Sequence, residues 1–240
     1  MRFRLPLGRS LLFGCVFLFA MVALLPLRLA IGWLGYDDGG LSAREAEGSI
    51  WMGAMKEARF GSVPIGDVTT GLRSAPLLLG RARVDLERMG EADPLRASLT
   101  ASRHAFGLDD VKGAFAAGAL FAPLPISRIE LDDLTAHFAN GACASAEGRV
   151  TAQVASEVAG VSLPGGFSGN ARCETGMLLL PLTSQSGLET LNLRIGGDAR
   201  YRLELVVRPP NPELAERLVA AGFTLGSDGA YGLRAEGSID

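Results

Sequence analysis

Histidine is nearly missing from this chain, with two in 240 residues, and cysteine is scarce, with three. Two imidazoles and no Cys-x-x-Cys spacing leave no zinc ligand set and no dithiol redox motif. There is no Gly-rich phosphate loop. Basic residues are not in excess: the formal charge is −3, which excludes a strongly basic nucleic-acid binder. Aromatics reach only 7 %. Glycine and proline are abundant by contrast, 31 and 12 residues, together more than one residue in six. That balance favours short strands joined by many turns over long packed helices.

Mean hydropathy is nevertheless high, +0.24, and the excess is local. Leu11 to Leu25 runs without a polar side chain, behind Arg2, Arg4 and Arg9. The run continues to about Ile31, long enough for a bilayer-spanning helix. Arg28 lies where it would snorkel, and Trp33 and Tyr36 where an interfacial belt would sit. The expectation is a transmembrane anchor over residues 10–32, with residues 1–9 in the cytoplasm and 33–240 forming a periplasmic β-rich domain. A cleaved signal peptide is the competing reading. Cuts after Ala30 or Ala23 place Arg28 or Met21 at −3, where a small residue is needed. Four of the 23 basic residues and none of the 26 acids fall in residues 1–36, so the remainder carries 19 bases against 26 acids, net −7. Such a charge keeps a domain soluble and directs it away from anionic lipid.

Cys15 falls in the apolar run, whereas Cys143 and Cys173 are both in the exported part. An even pair in an oxidising compartment reads as a disulfide, with two unrelated buried thiols as the alternative.

Beyond the anchor, apolar residues alternate with polar ones, the period of a half-buried strand. Val84 and Leu86 oppose Arg83, Asp85 and Glu87. Leu95, Ala97, Leu99 and Ala101 form a second such row; Leu191, Leu193 and Ile195 a third; Tyr201, Leu203, Leu205 and Val207 a fourth. Between Ile129 and Phe138 the phase changes, and one extra residue at Asp132-Asp133 keeps all the apolar residues on one face, as a β-bulge does; a break between two strands is the alternative. Gly39-Gly40, Asn140-Gly141, Pro164-Gly165-Gly166, Gly196-Gly197 and Ser227-Asp228-Gly229 punctuate the strands. The alanine-rich segment 108–121 is compatible with helix or strand. After Pro209-Pro210, Asn211 is placed to cap a short helix opening at Pro212, with a Leu214, Leu218, Val219 stripe and Gly222 to close it. The fold expected is mainly β, a curled antiparallel sheet with one short C-terminal helix behind the N-terminal anchor.

Candidate chemistry is sparse. His137 falls on the polar side of its strand and His104 in a loop. Gly166-Phe167-Ser168-Gly169 is similar to a nucleophile elbow, but its second glycine comes one residue early. Asp109-Asp110 and Asp132-Asp133 lack calcium-loop spacing. An enzyme is disfavoured, and no cofactor or metal is expected. A membrane-tethered hydrolase would need one histidine beside a carboxylate and a nucleophile in one cleft.

Gly48-Ser49-Ile50-Trp51-Met52-Gly53 sets a tryptophan between two glycines. It resembles the Gly-[Ser/Thr]-[Val/Ile]-Trp-x-Gly signature of the type II secretion system protein N family, with Gly48, Trp51 and Gly53 as the motif residues. The anchor, the β-rich domain, the Cys143 and Cys173 pair and the pattern from Val207 to Gly222 extend the resemblance along nearly the whole chain. It implies an accessory inner-membrane component that helps carry folded proteins across the outer membrane without catalysis. The implied partners are other inner-membrane subunits and the outer-membrane secretin. The physical reading of Trp51 is a core anchor, with contact to a partner as the alternative, and its flanking glycines let backbone approach the indole. The alternative function is an envelope lipid-binding or lipid-transfer protein with an apolar groove.

Overall fold

The computed structural model describes residues 7–34, 41–61, 63–88, 94–117, 121, 124, 126–154, 157–158, 161–162 and 165–239. Arg2, Arg4, Tyr36, the Gly39-Gly40 turn and Pro164 lie outside the described residues.

Pro26 governs the N-terminal segment, because it has no amide hydrogen and disfavours helical geometry at the residue before it. The apolar run therefore divides into helix α1 (Leu7–Ala23) and helix α2 (Leu27–Leu34). The run expected to form one transmembrane helix over residues 10–32 is thus two helices that meet at Pro26. Among the described residues, no helix is long and apolar enough to cross a membrane. Leu11, Phe13, Phe17 and Phe19 of α1 are between 68 % and 75 % exposed.

Strands follow in close succession: β1 (Leu41–Ser42), β2 (Glu45–Gly48), β3 (Gly53–Phe60) and β4 (Val63–Leu72), then the single turn of α3 (Ser74–Leu77). Next come β5 (Ala82–Arg88), β6 (Leu95–Ala101), β7 (Ala105–Ala116), β8 (Ile126–Ala139) and β9 (Ala142–Val154). A separate two-stranded hairpin, β10 (Glu157–Val158) and β11 (Val161–Ser162), precedes β12 (Gly166–Asn170), β13 (Arg172–Glu174), β14 (Met177–Ser184), β15 (Glu189–Ile195) and β16 (Arg200–Val207). Helix α4 (Pro212–Ala220), β17 (Thr224–Leu225) and β18 (Tyr231–Ser238) complete the described chain. All the strands but β10 and β11 form one open antiparallel sheet of 16, ordered β1-β3-β4-β5-β6-β7-β8-β9-β12-β14-β15-β16-β18-β17, with β2 on β3 and β13 on β14. Most neighbours in the sheet are neighbours in sequence, as hairpin-length connections require.

Bulges shift the register of this sheet. At Asp132-Asp133 strand β8 runs on unbroken while its register against β9 slips between Asp132 and Thr135, and Asp133 has φ +52°. Ile129, Leu134, Ala136 and Phe138 consequently share the buried face. Strand β7 slips between Leu108 and Val111, with Asp110 at φ +51°. On the other side of β8, Gly148 (φ +117°) admits the bulge, since a Cβ there would lie 2.5 Å from the Asp133 carbonyl oxygen. Three adjacent strands are thus bent together, and each bulge increases local twist. Segment 108–121, open between helix and strand in the sequence, begins within β7, where Gly113 at φ +149° is incompatible with a helix.

One continuous core lies against the sheet, from Met55 and Val68 to Ala235. Phe121, in the β7–β8 connection, meets Tyr201 edge-on with ring centroids 5.1 Å apart. Helix α4 seals the core with Leu218, which is fully buried. The Asn211 side chain accepts the Leu214 N–H at 2.9 Å, while Phe223 N–H bonds to the Leu218 carbonyl and Gly222, at φ +89°, to that of Val219. Val219 of the expected stripe is instead 57 % exposed, because five residues on from Leu214 the helix has turned it away. Cys143 and Cys173 are disulfide-bonded with Cα atoms 5.6 Å apart, joining β9 to β13. Cys15 is a free, exposed thiol.

Candidate functional site

Gly48 and Gly53 are paired residues at the end of the β2–β3 hairpin, and Ser49 to Met52 form its turn. Ser49 N–H donates to the Met52 carbonyl at 3.0 Å. Gly48 adopts φ +82°, where a Cβ would sit 2.5 Å from that same oxygen. Gly53 is needed for space: a Cβ there would lie 2.5 Å from Leu27 Cδ2 and 2.9 Å from the Ser49 carbonyl oxygen. Leu27, the first residue of α2, is thereby buried against the sheet.

The turn holds the break between the two N-terminal helices. Ser49 forms an isolated β-bridge with Pro26, and Ile50 N–H donates to the Leu25 carbonyl at 3.1 Å. The Ile50 carbonyl accepts from Leu72 N–H at 2.9 Å, tying the turn to β4. Trp51 Nε1–H donates at 3.1 Å to the Val22 carbonyl, one of the four at the end of α1 that helix geometry leaves without an intrahelical donor. Trp51 is half-buried at this junction and stands outside the core. That corrects its reading as a core anchor: the turn lies at a strand end, and the indole N–H needs an acceptor that an aliphatic interior does not offer. Sequence reasoning found Gly48, Trp51 and Gly53 but not their partners Val22, Leu25 and Leu27, since no local pattern links residues more than 20 apart.

Beside Trp51 lies an open depression of about 570 Å³, whose lining includes Glu47, Met52, Thr70, Asp85 and Glu87. Its carboxylates are matched by neighbouring cations. Asp85 pairs with Arg73 and Arg83 and accepts from Ser98 Oγ; Glu87 pairs with Arg96, and Glu47 with Lys56. Burial pushes the Asp85 carboxyl up, but the hydrogen bonds from Ser98 and Arg73 and the charges of Arg73 and Arg83 outweigh it and hold it below its ordinary value.

A second cluster joins residues from four adjacent strands, β6 to β9. His137 Nε2 lies 2.7 Å from Asp109 Oδ1, and its Nδ1 lies 3.2 Å from Ser145 Oγ. Asp109 also accepts from Thr100 Oγ1. Burial raises the Asp109 carboxyl, yet the bonds from Thr100 and His137 and the charges of His137 and Arg83 together lower it below its ordinary value. The order of contacts is that of a hydrolytic triad. Ser145 is exposed and the His137 side chain is 43 % exposed, so the group lies open to water at the sheet surface. Ser145 was not legible: the Asn140-Gly141 turn sets Ala139 opposite Ala142 and Phe138 opposite Cys143, and only a further slip brings His137 opposite Ser145.

The remaining candidates are structural. His104 sits in an exposed turn, where its carbonyl accepts Asn140 N–H at 2.8 Å. Gly166-Phe167-Ser168-Gly169 is the strand β12 and no elbow: Phe167 is fully buried, and a Cβ on Gly169 would collide with the Pro181 carbonyl oxygen. Lys112 Nζ spans Asp132 and Asp133 at 3.3 and 2.9 Å. No cluster of three or more metal-ligating side chains occurs among the described residues.

Comparison with known proteins gives a consistent answer. No solved structure matches the chain. A protein of Vibrio cholerae serotype O1 described as type II secretion system protein N is 26 % identical over 218 residues, covering 84 % of this chain and 85 % of that protein. The family described as Type II secretion system, protein N matches residues 39–234, a span that takes in the Trp51 turn, nearly all of the sheet and α4. The chain belongs to the type II secretion system protein N family.

Proposed function

We propose that this protein is a non-catalytic docking scaffold of the type II secretion machinery, held at the inner membrane through residues 10–32, with residues 1–9 cytoplasmic and the sheet in the periplasm. Its partners would be other inner-membrane subunits and the outer-membrane secretin. The observation that carries this reading is the Trp51 turn, which fastens an apolar helix exposed from Leu11 to Phe19 to one end of a 16-stranded sheet. An exposed apolar helix wants lipid around it, and the turn converts that attachment into a fixed position for the sheet. The Cys143–Cys173 bond suits an oxidising compartment. A lipid carrier of similar shape would need an open apolar channel, whereas inward-facing Ala58, Ala136, Phe167 and Leu205 are 0 % exposed.

Secretion in the bacterium that carries the protein tests this reading. Removing the chain is expected to leave exported proteins trapped in the periplasm. Restoring it as Ser145→Ala or His137→Asn is expected to rescue secretion as fully as the wild type. A variant that folds and reaches the membrane normally yet fails to rescue would show that the exposed Ser-His-Asp group performs chemistry.

A further inference from the structure

Three consecutive leucines sit at the tip of the β4–β5 connection. Leu78 is 89 % exposed, Leu79 79 % and Leu77 37 %. The connection is a built projection: after α3, Leu79 N–H and Arg81 N–H both bond to the Pro76 carbonyl, Gly80 N–H bonds to that of Leu77, and Gly80 turns the chain back at φ +70°. A rigid loop presenting leucine to water is costly unless something covers it.

Charge and position identify the cover. The chain beyond residue 36 is acidic, yet residues 73–83 contain Arg73, Arg81 and Arg83 and no acid. Arg73 and Arg83 turn to Asp85, while Arg81 is exposed and makes no ion pair among the described residues. The loop leaves the sheet just after Leu72, whose N–H bonds to Ile50, and Ile50 in turn bonds to Leu25 between α1 and α2. The leucines therefore project from the corner where the apolar helices are fastened. Leucine tips flanked by arginine suit the boundary between acyl chains and phosphate headgroups.

We propose that this loop is a second membrane contact, in which Leu77, Leu78 and Leu79 enter the boundary layer of the bilayer that holds α1 and Arg81 pairs with anionic lipid phosphate. The inference rests on the membrane reading of α1. The loop would give the sheet, already fastened to α1 by the Trp51 turn, a second point of contact with the membrane.

The test uses the full chain in vesicles of phosphatidylethanolamine and phosphatidylglycerol. An environment-sensitive fluorophore is attached at Cys15, or at Leu78→Cys or Glu216→Cys in a Cys15→Ser background, and quenched by lipids carrying a nitroxide near the headgroup or near the chain end. Cys143 and Cys173 are bonded and take no label. The label at 78 is expected to shift to the blue and to be quenched more by the shallow nitroxide, the label at Cys15 more by the deep one, and the label at 216 by neither. Arg81→Glu is expected to lower quenching at 78 by about half in these vesicles and to leave it unchanged in neutral phosphatidylcholine. A quenched Cys15 label beside an unquenched label at 78 overturns the inference and leaves the membrane reading intact. Quenching at neither site overturns both. A blue shift at 78 without quenching would mean that protein covers the loop, which also overturns the inference.

Discussion

Gly53 lets helix α2 reach the sheet because it has no side chain. Gly53→Val would place carbon 2.5 Å from Leu27 Cδ2 and 2.9 Å from the Ser49 carbonyl oxygen. The expected cost is about 1–3 kcal/mol, read as a lower urea midpoint, with faster proteolysis between Ala23 and Leu27 as the sign that the helices have lifted. Asp109 supports a prediction of opposite character. Its folded carboxyl is held below its ordinary value of 3.8, so its stabilisation is present above that value and disappears as the pH falls through the folded value. Asp109→Asn is expected to be less stable than the wild type at pH 7, with the difference shrinking as the pH falls below 3.8, as measured by urea midpoints across the acid range. A difference independent of pH would show that Asp109 acts through packing alone. Neither residue's role was legible in the sequence, because each depends on a partner brought near only by the folded sheet.

At the scale of elements the sequence spoke more clearly. The phase change at Asp132-Asp133 located the bulge in β8, because alternation with one face buried leaves a single way to keep the apolar residues together. The matching bulge in β7 escaped notice because that stretch is alanine- and glycine-rich, and small residues hide which face is buried. The length of an apolar run says nothing of where a helix breaks, whereas the backbone geometry of Pro26 makes it the boundary between two helices. Helix α4 was readable from Asn211, Pro212 and Gly222, since caps act locally. Asn211→Ala is expected to cost about 1 kcal/mol, measurable by urea denaturation, while Val219→Ser on the exposed side should change stability little.

Across the described residues, one open sheet of mostly sequence-neighbouring strands carries bulges, buries Leu218 of α4 in its core and is tied at one end to apolar helices. The Cys143–Cys173 bond closes a separation of 30 residues. Its loss is expected to cost roughly 3–4 kcal/mol by restoring freedom to the unfolded chain, seen as a lower urea midpoint under reducing conditions, and Cys143→Ser should abolish the difference between reduced and oxidised protein. That the whole assembly is a surface for docking is the central claim. Met52, 81 % exposed beside Trp51, is the place to ask. A photo-crosslinking residue at position 52, activated in intact cells that are secreting, is expected to yield adducts with other subunits of the secretion machinery. Adducts with none of them, in cells whose secretion depends on this chain, would contradict the account.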